Sequence, residues 1–159
     1  MRLFATFLAA AVLCSASPAQ TASAKHVRVS SNVSGGSVLP GNTFNVEVKL
    51  TVGKGWHVNS HTPAQEYMIP TVIVIDSTEG FAVTGIQYPK GQSVSLSISD
   101  TPFSVYDGTV AIVVSLTASA NLAPGKKTLN GTITLQACNN QICVAPSTIR
   151  VSIPVTVGS

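Results

Sequence analysis

Cys138 and Cys143 enclose four residues, Asn139-Asn140-Gln141-Ile142. Two thiols this close along a chain can close a disulfide. A disulfide can in turn be opened and re-formed by the thiolate of another protein. The third cysteine, Cys14, lies in a segment that reads as a leader. Arg2 gives it a positive start, Leu3 to Leu13 is apolar, and small residues follow in Ser17-Pro18-Ala19 and Ala22-Ser23-Ala24. The apolar run falls short of the roughly 20 residues that span a bilayer, so the segment is expected to be a cleaved signal peptide. Residues 1–19 are the expected leader, with a cut after Ala24 as second choice, and residues 25–159 are the expected domain. A rival reading lipidates Cys14, but Leu13 before it is not the small residue such sites use. Export leaves Cys138 and Cys143 where disulfides persist, and they most simply pair with each other.

What that bridge does stays open on its spacing alone. As a staple it is weak: a closed loop of about six residues is worth roughly 2 kcal/mol, against about 4.7 for a loop of 100. Most bridges in exported proteins are nonetheless inert. No CxxC motif is present, and no Lys, Arg or His lies inside the loop to favour a thiolate. Parity gives a further expectation. Leu129, Ile133 and Leu135 form the core-facing set of the preceding strand, while Cys138 falls with Asn130, Thr132, Thr134 and Gln136. It should point away from the main core, where a partner can reach it.

The elements that must hold the pair are strands. Phe44, Val46, Val48, Leu50 and Val52 alternate with Asn45, Glu47, Lys49 and Thr51. The same period recurs in Val110–Leu116, Leu129–Leu135 and Ile149–Val155. Val72–Ile75, Phe81–Tyr88 and Val94–Ile98 are further candidates. Turns are marked by Gly35-Gly36, Pro40-Gly41, Gly53-Lys54-Gly55, Pro89-Lys90-Gly91, Asp107-Gly108 and Pro124-Gly125. No helical period follows the leader. About seven to nine short strands with regular turns predict an all-β, immunoglobulin-like β-sandwich. Val58–Met68 and Ser99–Phe103 read as its longer loops.

Other chemistry finds little support. The chain is 9% charged with a formal charge of +3, and its basic residues are scattered. Nucleic-acid binding needs a clustered basic face. No serine–histidine–acid set, paired carboxylates or phosphate loop suggests a hydrolase. His57 and His61 stand four apart without a third ligand, in a strand end and loop, so no metal or other cofactor is expected. Trp56 reads as a core or interface aromatic. If His57 and Asn59 share a strand face, they are candidate neighbours of the disulfide.

Three stretches resemble the N-terminal periplasmic domain of the disulfide reductase DsbD family. They are Gly55-Trp56-His57-Val58-Asn59 with Glu66-Tyr67-Met68-Ile69-Pro70-Thr71, then Tyr88-Pro89 with Val105-Tyr106-Asp107-Gly108, and finally Leu135 through Cys143 with Pro146. Together they run from about Val27 to Val157. The resemblance implies an immunoglobulin-like sandwich and a reversible Cys138–Cys143 disulfide. It implies electrons taken from a membrane-embedded partner and passed to thioredoxin-fold or disulfide-isomerase-type proteins outside the cytoplasm. Cys143 would attack the partner's disulfide and Cys138 would resolve the intermediate. The spacing departs from the best-studied members, which place five residues between the cysteines. In those members a cap loop with an aromatic residue shields the pair; the matching segment is about Ser95 to Phe103, with Phe103 as its aromatic. The sequence stops at Ser159 without a membrane or thioredoxin-like domain, so the donor is expected as a separate chain. The alternative is a binding or interaction domain of the same fold with a structural bridge.

Overall fold

The computed structural model describes residues 22–159. The expected leader and Cys14 lie outside the described residues, except for Ala22, Ser23 and Ala24 at its later candidate cut. A 3-10 turn at Ser23–His26 leads into twelve strands: β1 Val27–Val33, β2 Ser37–Val38, β3 Thr43–Val52, β4 His57–Asn59, β5 Val72–Ile75, β6 Phe81–Gln87, β7 Gln92–Val94, β8 Phe103–Tyr106, β9 Thr109–Ala118, β10 Gly125–Leu135, β11 Ala137–Cys138 and β12 Ser147–Val157.

The strands form three four-stranded sheets, in the orders β1-β3-β9-β6, β2-β12-β10-β5 and β11-β4-β8-β7. The first two are the layers of an immunoglobulin-like sandwich. Their alternating residues explain why: Val46, Val48 and Leu50 of β3 pair in register with Val114, Ile112 and Val110 of β9. Leu129 and Ile133 of β10 pair with Ile153 and Ile149 of β12. The inward set is buried in one core, and the intervening Asn, Lys, Thr and Ser residues face outward.

The third sheet divides this core from a smaller one. Val58 of β4, Tyr106 of β8 and Ala137 of β11 belong to the main core. On the opposite face, Phe103, Val105 and Cys138 join Met68 and Leu96 in a second buried cluster. Period two produces the division, because consecutive residues of a strand face opposite ways. The turn between β8 and β9 is fixed by Gly108, at φ +61°, where a side chain would be strained. Its amide donates to Asp107 Oδ1 at 2.6 Å.

The long strands follow the alternation closely, and β3 and β5 have the expected limits. Three expectations are corrected. Val58 and Asn59, expected to open a loop, belong to β4, where pairing with β8 and β11 extends the strand. The strand expected over Val94–Ile98 is instead β7, Gln92–Val94, and Ser95–Pro102 is loop, from which Leu96 turns inward. Phe103, expected as the end of a polar loop, opens strand β8 and is buried.

Candidate functional site

Cys138 and Cys143 are joined in a disulfide with their Cα atoms 4.0 Å apart. The chain reaches this point by leaving one sheet for another. β10 ends at Leu135, and after Gln136 the next two residues pair with β4, placing Ala137 opposite Val58 and Cys138 opposite His57. The loop between the cysteines is held by its own polar groups. Asn139 Oδ1 accepts the amides of Gln141 (2.8 Å) and Ile142 (2.9 Å). The Asn139 amide donates to Ile142 O at 2.9 Å, and the Val144 amide to Ala137 O at 3.0 Å. An asparagine suits this position because its short side chain can satisfy the amides of a tight turn.

Parity sends Cys138 off the main core, as expected, but not into solvent. It is 0% exposed. The correction has a plain cause: the face it points to is covered by Met68, Leu96, Phe103 and Val105. Cys143 is only partly buried. It lines an open groove of about 370 Å³ with Tyr67, Met68, Ile98, Phe103, Gln136 and Ile142. Three of these are exposed apolar side chains: Tyr67 at 76%, Ile142 at 53% and Ile98 at 38%. The two sulfurs therefore differ in access.

His57 and Asn59 share the face of β4 that carries Cys138, since Val58 between them enters the main core. His57 stands across from Cys138 in the ladder. Its Nδ1 lies 3.9 Å from Asp107 Oδ2, beyond hydrogen-bond reach, and has no other partner. Asn59 is fully buried. Its amide donates to Gln136 O (3.2 Å), and its Nδ2 to Ile69 O (2.9 Å) and Gln136 Oε1 (3.3 Å). It thus ties the loop carrying Met68 to the residue beside the cysteine strand. His61 lies apart from His57 in its bonding: it stacks on Tyr88 at 3.6 Å between ring centroids, and its Nδ1 donates to Thr71 O. Trp56 stacks on His26 at 3.5 Å and packs against the main core. Among the described residues, no group of three His, Cys, Asp or Glu side chains is placed to hold a metal.

The profile of the family described as "Thiol:disulfide interchange protein DsbD, N-terminal" matches residues 27–154. The chain belongs to this family. Among solved structures, the N-terminal periplasmic domain of ScsB from Proteus mirabilis is similar, with a TM-score of 0.56 and 17% identity over 82% of this chain and 46% of that one. At that identity the likeness speaks for the fold, and this chain spans less than half of the ScsB structure's length. The N-terminal domain of Neisseria meningitidis DsbD in the reduced form aligns with a TM-score of 0.48 and 15% identity, over 83% of this chain and 87% of that one. No curated protein matches the chain.

Ser95–Phe103 is the segment matched above to a cap loop. It places Leu96 and Phe103 against Cys138, and Met68 comes from a different loop. Nothing in the sequence marks Met68, Leu96, Tyr67, Ile98, Ile142 or Gln136 as neighbours of the cysteines, although Tyr67, Met68, Gln136 and Ile142 fall within the stretches that carry the resemblance. The available signal was modest: Leu96 and Ile98 alternate with serines, and Tyr67, Met68 and Ile142 sit in short apolar runs outside the long strands.

Proposed function

We propose that this domain is a periplasmic thiol–disulfide exchange module. In the reduced form, the Cys143 thiolate attacks one sulfur of a thioredoxin-fold partner's disulfide and displaces the other as a thiolate. Cys138 then attacks Cys143 Sγ, the partner leaves as a dithiol, and the bridge closes. Two electrons and two protons have passed to the partner. A membrane-embedded donor restores the dithiol by the reverse chemistry. The observation that carries this reading is the unequal access of the sulfurs: Cys143 opens on a groove rimmed by Tyr67, Ile98 and Ile142, while Cys138 is sealed beneath Met68, Leu96 and Phe103. Attack at Cys143 with resolution by Cys138 fits that asymmetry. The exposed apolar rim supplies a surface on which a partner's cysteine face can seat.

Trapping tests it. With Cys138→Ala, the intermediate cannot be resolved, and a mixed disulfide through Cys143 should accumulate with an oxidised thioredoxin-fold protein. Tyr67→Ser should reduce capture by about five-fold or more, as expected for loss of an aromatic anchor. The wild-type reduction potential should lie clearly above about −300 mV. A potential below that value, with no captured species, would leave the second reading, a binding domain with a structural bridge. The full burial of Cys138 is the observation on that side.

A further inference from the structure

The 3-10 turn ahead of β1 reaches the cysteine loop through one side chain. Ser23 is fully buried. Its hydroxyl donates to Ala145 O at 2.7 Å and accepts the amide of Ala137 at 2.9 Å. Ala137 immediately precedes Cys138, and Ala145 lies just beyond Cys143. One hydroxyl therefore spans the base of the loop that carries both sulfurs. The turn is pinned again by the Ala24 amide, which donates to Ser147 Oγ at 3.0 Å.

We propose that Ser23 is a positioning residue for the Cys138–Cys143 pair, holding the loop ends so that the bridge is favoured over the dithiol. The hydroxyl and the bridge constrain the same two ends. With the bridge closed, the ends are already ordered and the hydroxyl makes both bonds at little further cost in freedom. With the bridge open, the ends move and the bonds are made for a smaller share of the time. Coupling of this kind is reciprocal, so whatever the bridge contributes to the hydroxyl's bonds the hydroxyl contributes to the bridge. A consequence follows for maturation. A leader ending at Ala19 keeps Ser23, whereas one ending at Ala24 removes it, so the working protein starts upstream of Ser23.

This inference rests on the bridge opening and closing, as proposed above. The test equilibrates wild-type and Ser23→Ala protein with glutathione. Two glutathione thiols reduce the bridge to two thiols and leave as glutathione disulfide. Alkylation and mass measurement give the ratio of the two protein forms. Ser23→Ala should raise the equilibrium constant for reduction by about three- to ten-fold, the range set by partial loss of one buried hydrogen-bonded group. An unchanged constant overturns the proposal, since Ser23 would then support both forms equally. A wild-type bridge that glutathione cannot open counts against the relay instead, and the same comparison against dithiothreitol still decides the role of Ser23. Should Ser23→Ala fail to fold, hydrogen exchange in the wild-type protein decides. The Ala137 amide should exchange faster in the dithiol form, and equal protection in both forms overturns the coupling. The N-terminal mass of the exported protein tests the consequence: a start at Lys25 would contradict it.

Discussion

On one face of the β11-β4-β8-β7 sheet, Val58, Tyr106 and Ala137 close a core built from long paired strands. On the other, Val105, Phe103 and Cys138 are covered by Met68 and Leu96, which arrive on loops. The main core has in-register ladders behind every buried side chain. The smaller cluster has short strands and loop residues. Its neighbourhood also holds the buried side-chain polar atoms that lack a hydrogen-bond partner among the described residues: His57 Nδ1, Asn59 Oδ1 and Gln65 Oε1. The contrast teaches that the bond lies between a support of paired strands on one side and, on the other, a cover with fewer ladder bonds to resist local opening.

A pair of truncations can break that contrast. Ile133→Ala in the main core should cost about 2–5 kcal/mol by denaturant unfolding. It should leave the rate of bridge reduction by dithiothreitol unchanged in the folded protein. Leu96→Ala should cost less, about 2 kcal/mol, because a loop can settle into the gap it leaves. Yet it should speed reduction by about five-fold or more, through easier opening above Cys138. Equal costs and equal reduction rates in the two variants would mean the two clusters are one mechanical unit.

Legibility in the sequence divides along the same line. β3, β9, β10 and β12 follow from alternation because each is long enough to show period two, and β5 follows from its run of four β-branched residues. β4 and β11 have three and two residues, too few for any period to register. β1 carries the same signal, since Val27, Val29 and Val33 keep the alternation. The outward parity of Cys138 was readable from Leu129, Ile133 and Leu135. What lies outward was not, because Met68, Leu96, Phe103 and Cys138 are gathered from distant segments by the fold. Ser23 was hidden differently: its small-residue neighbourhood reads as a cleavage site, and only tertiary structure reveals its bonds to Ala137 and Ala145.

The junction between the two regions has its own handle. Tyr106 is buried in the main core, but its hydroxyl donates to Pro89 O and accepts the amide of His61, at the start of the loop that carries Met68. Burial raises its pKa above the ordinary 10.0; the bond from His61 acts the other way, and nearby Tyr88 adds to the rise. The sign follows from proton counts. Above pH 10 the unfolded chain loses this proton first, so the folded state binds more protons and stability falls as pH rises. That contribution is intact below the unfolded pKa and is lost through the folded one. Unfolding titrations should show this decline above pH 10, and Tyr106→Phe should flatten it. A decline of the same slope in Tyr106→Phe would assign it to other groups.

Reduction of the bridge should have the smallest effect on stability, and that size separates the two functional readings. If the bridge holds the corner, opening it should release the loop and cost at least the roughly 2 kcal/mol that a short closed loop is worth. The loop, however, has other ties. Val144 is bonded to Ala137 across its base, Asn139 to Ile142 near its tip, and Asn139 Oδ1 caps Gln141 and Ile142. Cys138 itself stays packed under Met68, Leu96 and Phe103 whether or not its sulfur is bonded. A bridge acts mainly by restricting the unfolded chain, and one that closes so short a loop restricts it little, while these contacts limit, without abolishing, the movement of the loop ends once it is open. Equilibrium unfolding of the oxidised and reduced proteins should therefore differ by less than about 2 kcal/mol. A loss well beyond that would mark a bond the domain depends on, and a bond the domain depends on is poorly suited to being opened at every turnover.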